Sequence, residues 1–208
     1  MSKQPLELHH RQVGPWGMNT YVLVCPATNE SVLFDPGADV DTLSDMVGAS
    51  RPVAILLTHT HGDHVGALAE MRKRLKVPVV AHGNAVENGV AVDRTVGDGD
   101  EVVVGKHRLR VFYTPGHIDD QICFALQNDH RVLVGDTIFQ GGPGKTWSPE
   151  GFQTTLNTLR TVVLPWPDET ICYPGHGPHF RLGDIRPVVE AFLAKDHGDF
   201  YGDAEWGM

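Results

Sequence analysis

The sequence predicts a layered α/β or α+β domain. Short apolar segments with β-branched residues fall into two groups along the chain, and segments with helical spacing separate them. Strands in two groups with helices between them are typical of layered mixed folds. The 23 glycines and 14 prolines among 208 residues indicate many turns. We expect residues 1–208 to form one domain, with a tail over 195–208 whose structure the pattern does not predict.

The first group opens with a hairpin. Asn19–Cys25 and Ser31–Asp35 are the predicted strands, and Pro26–Glu30 between them is turn-like. A short helix is predicted over 39–47, where four apolar residues share one face. The apolar run Val53–Leu57 predicts a strand that is buried on both faces.

The other predicted elements rest on the same two signals, hydrophobic periodicity and the positions of glycine and proline. Pro149 directly after Ser148 is typical of the beginning of a helix. In chain order these elements are a helix to about Leu75, the strands Val77–Ala81, Glu101–Val104, His107–Tyr113, Ile122–Gln127 and Arg131–Val134, a helix from 149 to about Leu164, the strand Thr170–Tyr173 and a helix over 184–194.

Composition excludes several classes of partner. A net charge of −9 disfavours nucleic acid and anionic membranes, because both would be repelled. No apolar run approaches the ~20 residues of a membrane span, and the first residues do not resemble a signal peptide. The cysteines Cys25, Cys123 and Cys172 form no closely spaced pair, which favours a reducing compartment. We therefore expect a cytoplasmic protein with no nucleic-acid or membrane partner.

Residues that can bind metal follow four of the predicted strands. They are His59, His61, Asp63 and His64 after Val53–Leu57, His117 after His107–Tyr113, Asp136 after Arg131–Val134, and His176 after Thr170–Tyr173. Strand ends are where α/β folds usually place chemistry. Imidazole suits zinc, and a carboxylate can bridge two ions.

The spacing in the first loop predicts two ions rather than one. In extended backbone His59, His61 and Asp63 point one way and His64 points another, so one loop can supply two neighbouring ions. The predicted sets are His59, His61 and His117 for one ion and Asp63, His64 and His176 for the other, with Asp136 as the bridge. We expect two divalent ions, Zn²⁺ first and Fe or Mn as alternatives, sharing a hydroxide.

Four motifs and an early turn resemble those of the metallo-β-lactamase superfamily. They are H-T-H-G-D-H at 59–64, T-P-G-H at 114–117, G-D-T-I-F at 135–139, P-G-H-G at 174–177 and L-F-D-P-G at 33–37. The resemblance implies a four-layer αββα sandwich with a dinuclear site at the edge between its two sheets, and it assigns the same seven ligands. The pattern is most similar to the glyoxalase II-like hydrolases (hydroxyacylglutathione hydrolases), but too few residues follow His176 to form their C-terminal helical domain.

The predicted activity is metal-dependent hydrolysis of a small ester or thioester. The bridging hydroxide would attack the carbonyl carbon, and Asp63 would orient it and carry its proton. Lys145, Tyr173 and His179 are the candidate substrate contacts, with Lys145 facing a substrate carboxylate. The substrate would be a small molecule such as an anionic thioester. The sequence leaves open whether glutathione is the thiol, and it leaves the oligomeric state unknown.

Other activities fit part of the same pattern. His59, His117 and Asp136 alone would form the two-histidine, one-carboxylate face that suits non-haem iron, as in persulfide dioxygenases of this superfamily. A lactonase of the superfamily is a second alternative. The acidic charge disfavours a nuclease, and the complete ligand set disfavours a non-catalytic binding module.

Overall fold

Two six-stranded sheets form the centre of the molecule in a computed structural model that describes residues 4–208. The first sheet has the order β1-β2-β3-β4-β5-β6 and the second has the order β12-β11-β10-β9-β8-β7. The first sheet contains β1 (Glu7–Val13), β2 (Met18–Val24), β3 (Glu30–Phe34), β4 (Arg51–Leu56), β5 (Val79–His82) and β6 (Arg94–Val96). The second contains β7 (Glu101–Val104), β8 (His107–Tyr113), β9 (Ile122–Leu126), β10 (Arg131–Gly135), β11 (Ile171–Pro174) and β12 (Phe180–Arg181).

Helices cover the outer face of each sheet. They are α1 (Val40–Val47), α2 (Gly62–Val65), α3 (Leu68–Leu75), α4 (Asn84–Glu87), α5 (Pro149–Thr158), which continues as a π-helical segment over Leu159–Val163, and α6 (Leu182–Leu193). Residues of α1 and α3 pack on the first sheet, and residues of α5 and α6 pack on the second. The predicted mixed α/β class and the four-layer αββα arrangement are therefore confirmed.

The central apolar layer lies between the two sheets. Phe34 of the first sheet meets Phe124 of the second edge to face, with ring centroids 5.3 Å apart. Both side chains are fully buried, and burial of such a side chain contributes roughly 1.5–3 kcal/mol. Because β3, β4 and β5 run parallel, and β10 and β11 do too, their carboxyl ends gather at one edge of the sandwich.

The structure adds elements that periodicity does not predict. The strand β1 was missed because most of its residues are polar and exposed, as is common in an edge strand. The single helix predicted up to about Leu75 is two, α2 and α3. Gly66 lies between them, where a Cβ would stand 2.4 Å from the carbonyl oxygen of Gly37.

The last residues of the chain contain no regular helix or strand, yet they pack against the second sheet. Ala204 and Trp206 are buried in the outer apolar cluster of that sheet. Within residues 4–208, the helices are all too short or too polar to cross a membrane.

Candidate metal centre

The first half of the site is the loop that follows β4. His59 and His61 lie on the extended part of this loop, and α2 then begins at Gly62. Asp63 and His64 therefore both lie in the first helical turn. The expectation that extended backbone points Asp63 the same way as His59 and His61 is wrong, because the helix begins before Asp63. The ligand atom of Asp63 instead groups with those of His64 and His176.

A buried carboxylate below this loop fixes its shape. Asp35 accepts hydrogen bonds from the Thr58 backbone N–H at 2.8 Å and from the Thr58 hydroxyl at 2.7 Å. Its second oxygen also lies 3.1 Å from Nδ1 of His64. Asp35 has a left-handed backbone with a φ of 46°, which an aspartate adopts more readily than most residues. It thus holds the loop and orients one of the predicted ligands.

The second half of the site comes from the other sheet. Asp136 directly follows β10, His176 lies just beyond β11, and His117 lies beyond β8. Gly175 permits their approach, because a Cβ there would stand 2.2 Å from Oδ1 of Asp136 and 2.6 Å from Cε1 of His64. A side chain at position 175 would therefore occupy the space where the ligand atoms converge.

Strand β2 holds the His176 loop in place from the opposite sheet. The Asn19 side-chain amide donates to the carbonyls of Pro174 at 2.9 Å and Gly177 at 2.7 Å, and its backbone N–H donates to Gly175 at 2.7 Å. The Tyr21 hydroxyl donates to the carbonyl of Pro174 at 2.7 Å. These bonds tie the two sheets together at the site.

All seven predicted ligands lie together. Ligand atoms fall within 4.8 Å of one another in three sets, which are His59, His61 and His117, then Asp63, His64 and His176, and also His59, His64 and Asp136. Oδ1 of Asp136 lies 3.4 Å from Nε2 of His64, and Oδ2 lies 3.6 Å from Nε2 of His117 and 3.7 Å from Nε2 of His176. Asp136 therefore lies between the two sets that the sequence predicts, which is the position of a bridge.

Hydrogen bonds turn three imidazoles so that one nitrogen of each faces the centre of the cluster. Nδ1 of His59 lies 3.1 Å from the Thr58 hydroxyl, and Nδ1 of His117 lies 2.7 Å from the carbonyl oxygen of Lys145. Nδ1 of His64 is held by Asp35. The Nε2 atoms of these three histidines and Oδ1 of Asp136 are buried without a hydrogen-bond partner among the described residues. Buried polar atoms without a hydrogen-bond partner fit the ligand atoms of a metal centre. Hydrogen bonds to the opposite nitrogen of a histidine ring are typical of metal ligands too.

The electrostatics fit a cation in the same place. Burial, then the neighbouring imidazoles, lowers the pKa of His59 well below its usual value, so the neutral form that binds metal prevails. The hydrogen bond from His176 lowers the pKa of Asp63 to about 2. Burial also lowers the pKa of His64, but the carboxylates of Asp136 and Asp35 outweigh burial and raise it to about 10. These carboxylates favour a positive charge at this point, and a metal ion supplies one.

A cavity of about 480 Å³ opens beside the cluster. Its lining includes His117, Asp136 and His176, the loop that follows Asp136, and Asp203 to Glu205 of the tail. A space of this size suits a small molecule. The cluster is thus accessible from this cavity.

The three predicted substrate contacts have different positions. Lys145 lines the cavity, but its Nζ lies 3.1 Å from Oδ2 of Asp203. Tyr173 instead packs against the layer between the sheets, and the His179 ring stacks on it with centroids 5.3 Å apart. The structure therefore brings Lys145 to the cavity. Tyr173 and His179 stack on each other and are not among the residues that line it.

Sequence reasoning missed two exposed tryptophans at the rim. Trp147 lies with its ring centroid 6.4 Å from that of His61, and Trp16 lines a small hollow beside Asp63. Trp147 is 64% exposed and Trp16 is 71% exposed, which are the highest values among the large apolar residues that the structure describes. The sequence signal that could have indicated them is their position in predicted loops.

Two packed sheets with metal-binding residue types from both sheets meeting at one edge define a class of αββα protein. Comparison with known proteins places the chain in the same class. Residues 13–176 match the description of the metallo-beta-lactamase superfamily, and the chain belongs to that superfamily. It is similar to a probable metallo-hydrolase, YqgX, of Bacillus subtilis (strain 168), with 34% identity over 86% of this chain and 96% of that protein.

Two further likenesses point to particular branches. The chain is 35% identical to a hydroxyacylglutathione hydrolase of Rhizobium meliloti (strain 1021) over 74% of its own length, but it spans only 64% of that enzyme. The crystal structure of ETHE1 from Myxococcus xanthus superposes with a TM-score of 0.82 at 29% identity, covering 91% of this chain and 86% of that one.

Proposed function

We propose that this protein is a metal-dependent hydrolase that cleaves a small thioester or ester. The observation that carries the proposal is the pair of ligand sets that share Asp136 at the mouth of a cavity. Similarity to a hydroxyacylglutathione hydrolase supports thioesters as the substrate class.

The seven clustered residues would hold two divalent ions, and Zn²⁺ is the proposed metal. His59, His61 and His117 would bind one ion, Asp63, His64 and His176 the other, and Asp136 both. Bound metal would supply water that ionises near neutral pH and a Lewis acid for the carbonyl oxygen.

The residues of the chain have separate tasks in this reaction. Asp63 is partly exposed at the centre of the cluster, so its carboxylate would orient the attacking water and carry its proton onward. Asp35, Thr58 and the carbonyl oxygen of Lys145 act behind the ligands and keep each imidazole in the tautomer that presents Nε2. Preorganised ligands lower the reorganisation that the reaction requires.

The surroundings of the site suit a small-molecule substrate. Nucleic acid is disfavoured by the net charge of −9. We place the protein in the cytoplasm, because its three cysteines are all buried and unpaired.

Elemental analysis together with a substrate panel tests the proposal. Purified protein is analysed for zinc, iron and manganese, and it is then assayed on a thioester, a simple ester, a lactone and glutathione persulfide. We expect about two divalent ions per chain and hydrolysis of the thioester or ester.

Other outcomes would contradict this proposal in different ways. One iron per chain with oxygen uptake on the persulfide would establish a dioxygenase, for which His59, His117 and Asp136 lie suitably close. Turnover of the lactone alone would establish a lactonase.

A further inference from the structure

The C-terminal segment, residues 195–208, forms a wall of the cavity. The indole N–H of Trp206 donates to the carbonyls of Phe139 at 3.3 Å and Gln140 at 3.0 Å. The backbone N–H of Trp206 donates to Gly141 at 3.0 Å. Since Trp206 is itself buried, it fixes the end of the chain to the loop that follows Asp136.

A second set of bonds aligns the same two segments further along. The Thr146 N–H donates to the carbonyl of Gly202 at 3.1 Å, and the Gly202 N–H donates to the Thr146 hydroxyl at 3.2 Å. The backbones touch closely at Gly142, where a Cβ would stand 2.1 Å from the carbonyl oxygen of Ala204. The C-terminal segment is therefore a built part of the cavity rather than a loose end.

This wall adds two carboxylates to the lining of the cavity. Lys145 is the one basic residue among those lining the cavity, histidines aside, and Asp203 pairs with it at 3.1 Å. Glu205 lines the same cavity and adds a second negative charge. Lys145 also lies 4.9 Å from the centre of the Trp147 ring, so its ammonium is shared between a carboxylate and an aromatic face.

We propose that Asp203 determines substrate specificity, by neutralising Lys145 and so favouring thioesters or esters whose non-acyl part carries no negative charge. This inference rests on the proposed function and names its substrate class. Glutathione, whose two carboxylates and one ammonium leave it with a net negative charge, would meet a paired lysine and the carboxylate of Glu205. An uncharged thiol would meet neither attraction nor repulsion.

The expected effects are modest, because the pair is exposed. Side chains of Lys145 and Asp203 are 41% and 79% exposed. Pairs of this kind contribute about 0.2–1 kcal/mol, which is roughly a 1.4- to 5-fold change in a rate or binding ratio. The effect should shrink as salt is added, because salt screens exposed charges.

The test compares two thioesters with the same acyl group, S-acetylglutathione and the uncharged S-acetyl-N-acetylcysteamine, on zinc-loaded enzyme. In Asp203→Asn we expect kcat/KM for the anionic thioester, relative to the uncharged one, to rise roughly 1.4- to 5-fold. Adding Lys145→Ala should remove the gain. The matched control is Asp199→Asn, an exposed carboxylate of the same segment, which should keep the wild-type ratio.

A binding measurement separates this inference from the proposed function. Tryptophan fluorescence, to which Trp147 beside Lys145 contributes, is titrated with S-methylglutathione and with the uncharged S-methyl-N-acetylcysteamine. Neither compound needs turnover. Tighter binding of the anionic thioether in Asp203→Asn alone would support the inference. An unchanged ratio in both assays would overturn it. If no thioester or ester is hydrolysed, the proposed function is wrong, and the titration still decides the role of Asp203.

Discussion

The metal centre and the cavity wall beside it are built in opposite ways. His59, His64, His117 and Asp136 are at most 8% exposed, and further hydrogen bonds hold the three histidines from behind. The wall has at its centre an ion pair whose acid is 79% exposed. Interactions in the buried cluster are strong and mutually dependent, while those of the wall are weak and screened. Chemistry and selectivity in this molecule should therefore respond to mutation on different scales.

Asp136→Ala tests the buried cluster most severely. The carboxylate lies between both ligand sets, so its loss should remove bound metal and turnover together. The loss should exceed the roughly 10–100-fold that removal of an outer hydrogen-bond partner costs. Metal content by elemental analysis and kcat are measured on the same sample, with the exposed Asp45→Ala as control. Turnover that survives in the variant would contradict a site with two ions.

Asp63→Asn separates chemistry from folding. It keeps the shape of the side chain but removes the proposed proton acceptor, so kcat should fall roughly 10²–10⁴-fold. The free energy of unfolding should change by about 1 kcal/mol or less, because the side chain is partly exposed. Steady-state kinetics at saturating zinc and denaturant unfolding check this. Parallel loss of stability and turnover would mean that Asp63 is mainly structural.

Asp35→Asn probes the hydrogen bonds behind the ligands. Asparagine tolerates the left-handed backbone at this position. In either orientation of its amide, however, the NH2 group would face a donor, either the Thr58 N–H or Nδ1 of His64. Metal affinity should therefore fall roughly 10–100-fold while the fold is kept. Zinc titration against a competing chelator measures the change, and Asp45→Asn serves as control. Wild-type affinity would show that Asp35 supports only the loop.

Trp206→Phe should have the smallest effect and should act on the wall alone. The ring still fills its apolar pocket, but the donors to Phe139 and Gln140 are lost, each worth about 0.5–1.5 kcal/mol. We expect unchanged metal content and kcat with KM raised a few-fold. If metal content falls instead, the wall and the metal centre are coupled. The claim that they respond to mutation independently would then be wrong.

The parts predictable from sequence are those in which local pattern decides the outcome. Strands β7 and β8 have the predicted bounds, because alternation and glycine turns define them. The seven ligands meet because strand ends gather at one edge, and the fold class and superfamily are confirmed. Their role in binding metal stays a prediction.

The wall could not be predicted, because it depends on long-range packing. Nothing near Trp206 in the sequence indicates that it reaches a loop more than 60 positions earlier. Tyr173 and His179 looked like substrate contacts from their distance to His176 along the chain. In the folded protein, alternation along β11 turns Tyr173 toward the layer between the sheets, where the ring of His179 stacks on it.

The bonds from Asn19 and Tyr21 to the His176 loop have a consequence for stability. Because the ligands come from both sheets, ions that bound all seven would cross-link the two halves of the sandwich at one edge, where these bonds already hold them in register. A ligand that binds only the native state shifts the folding equilibrium by mass action. Chelation would then loosen this edge first, so exchange of its amide hydrogens should quicken there before it does in the rest of the core.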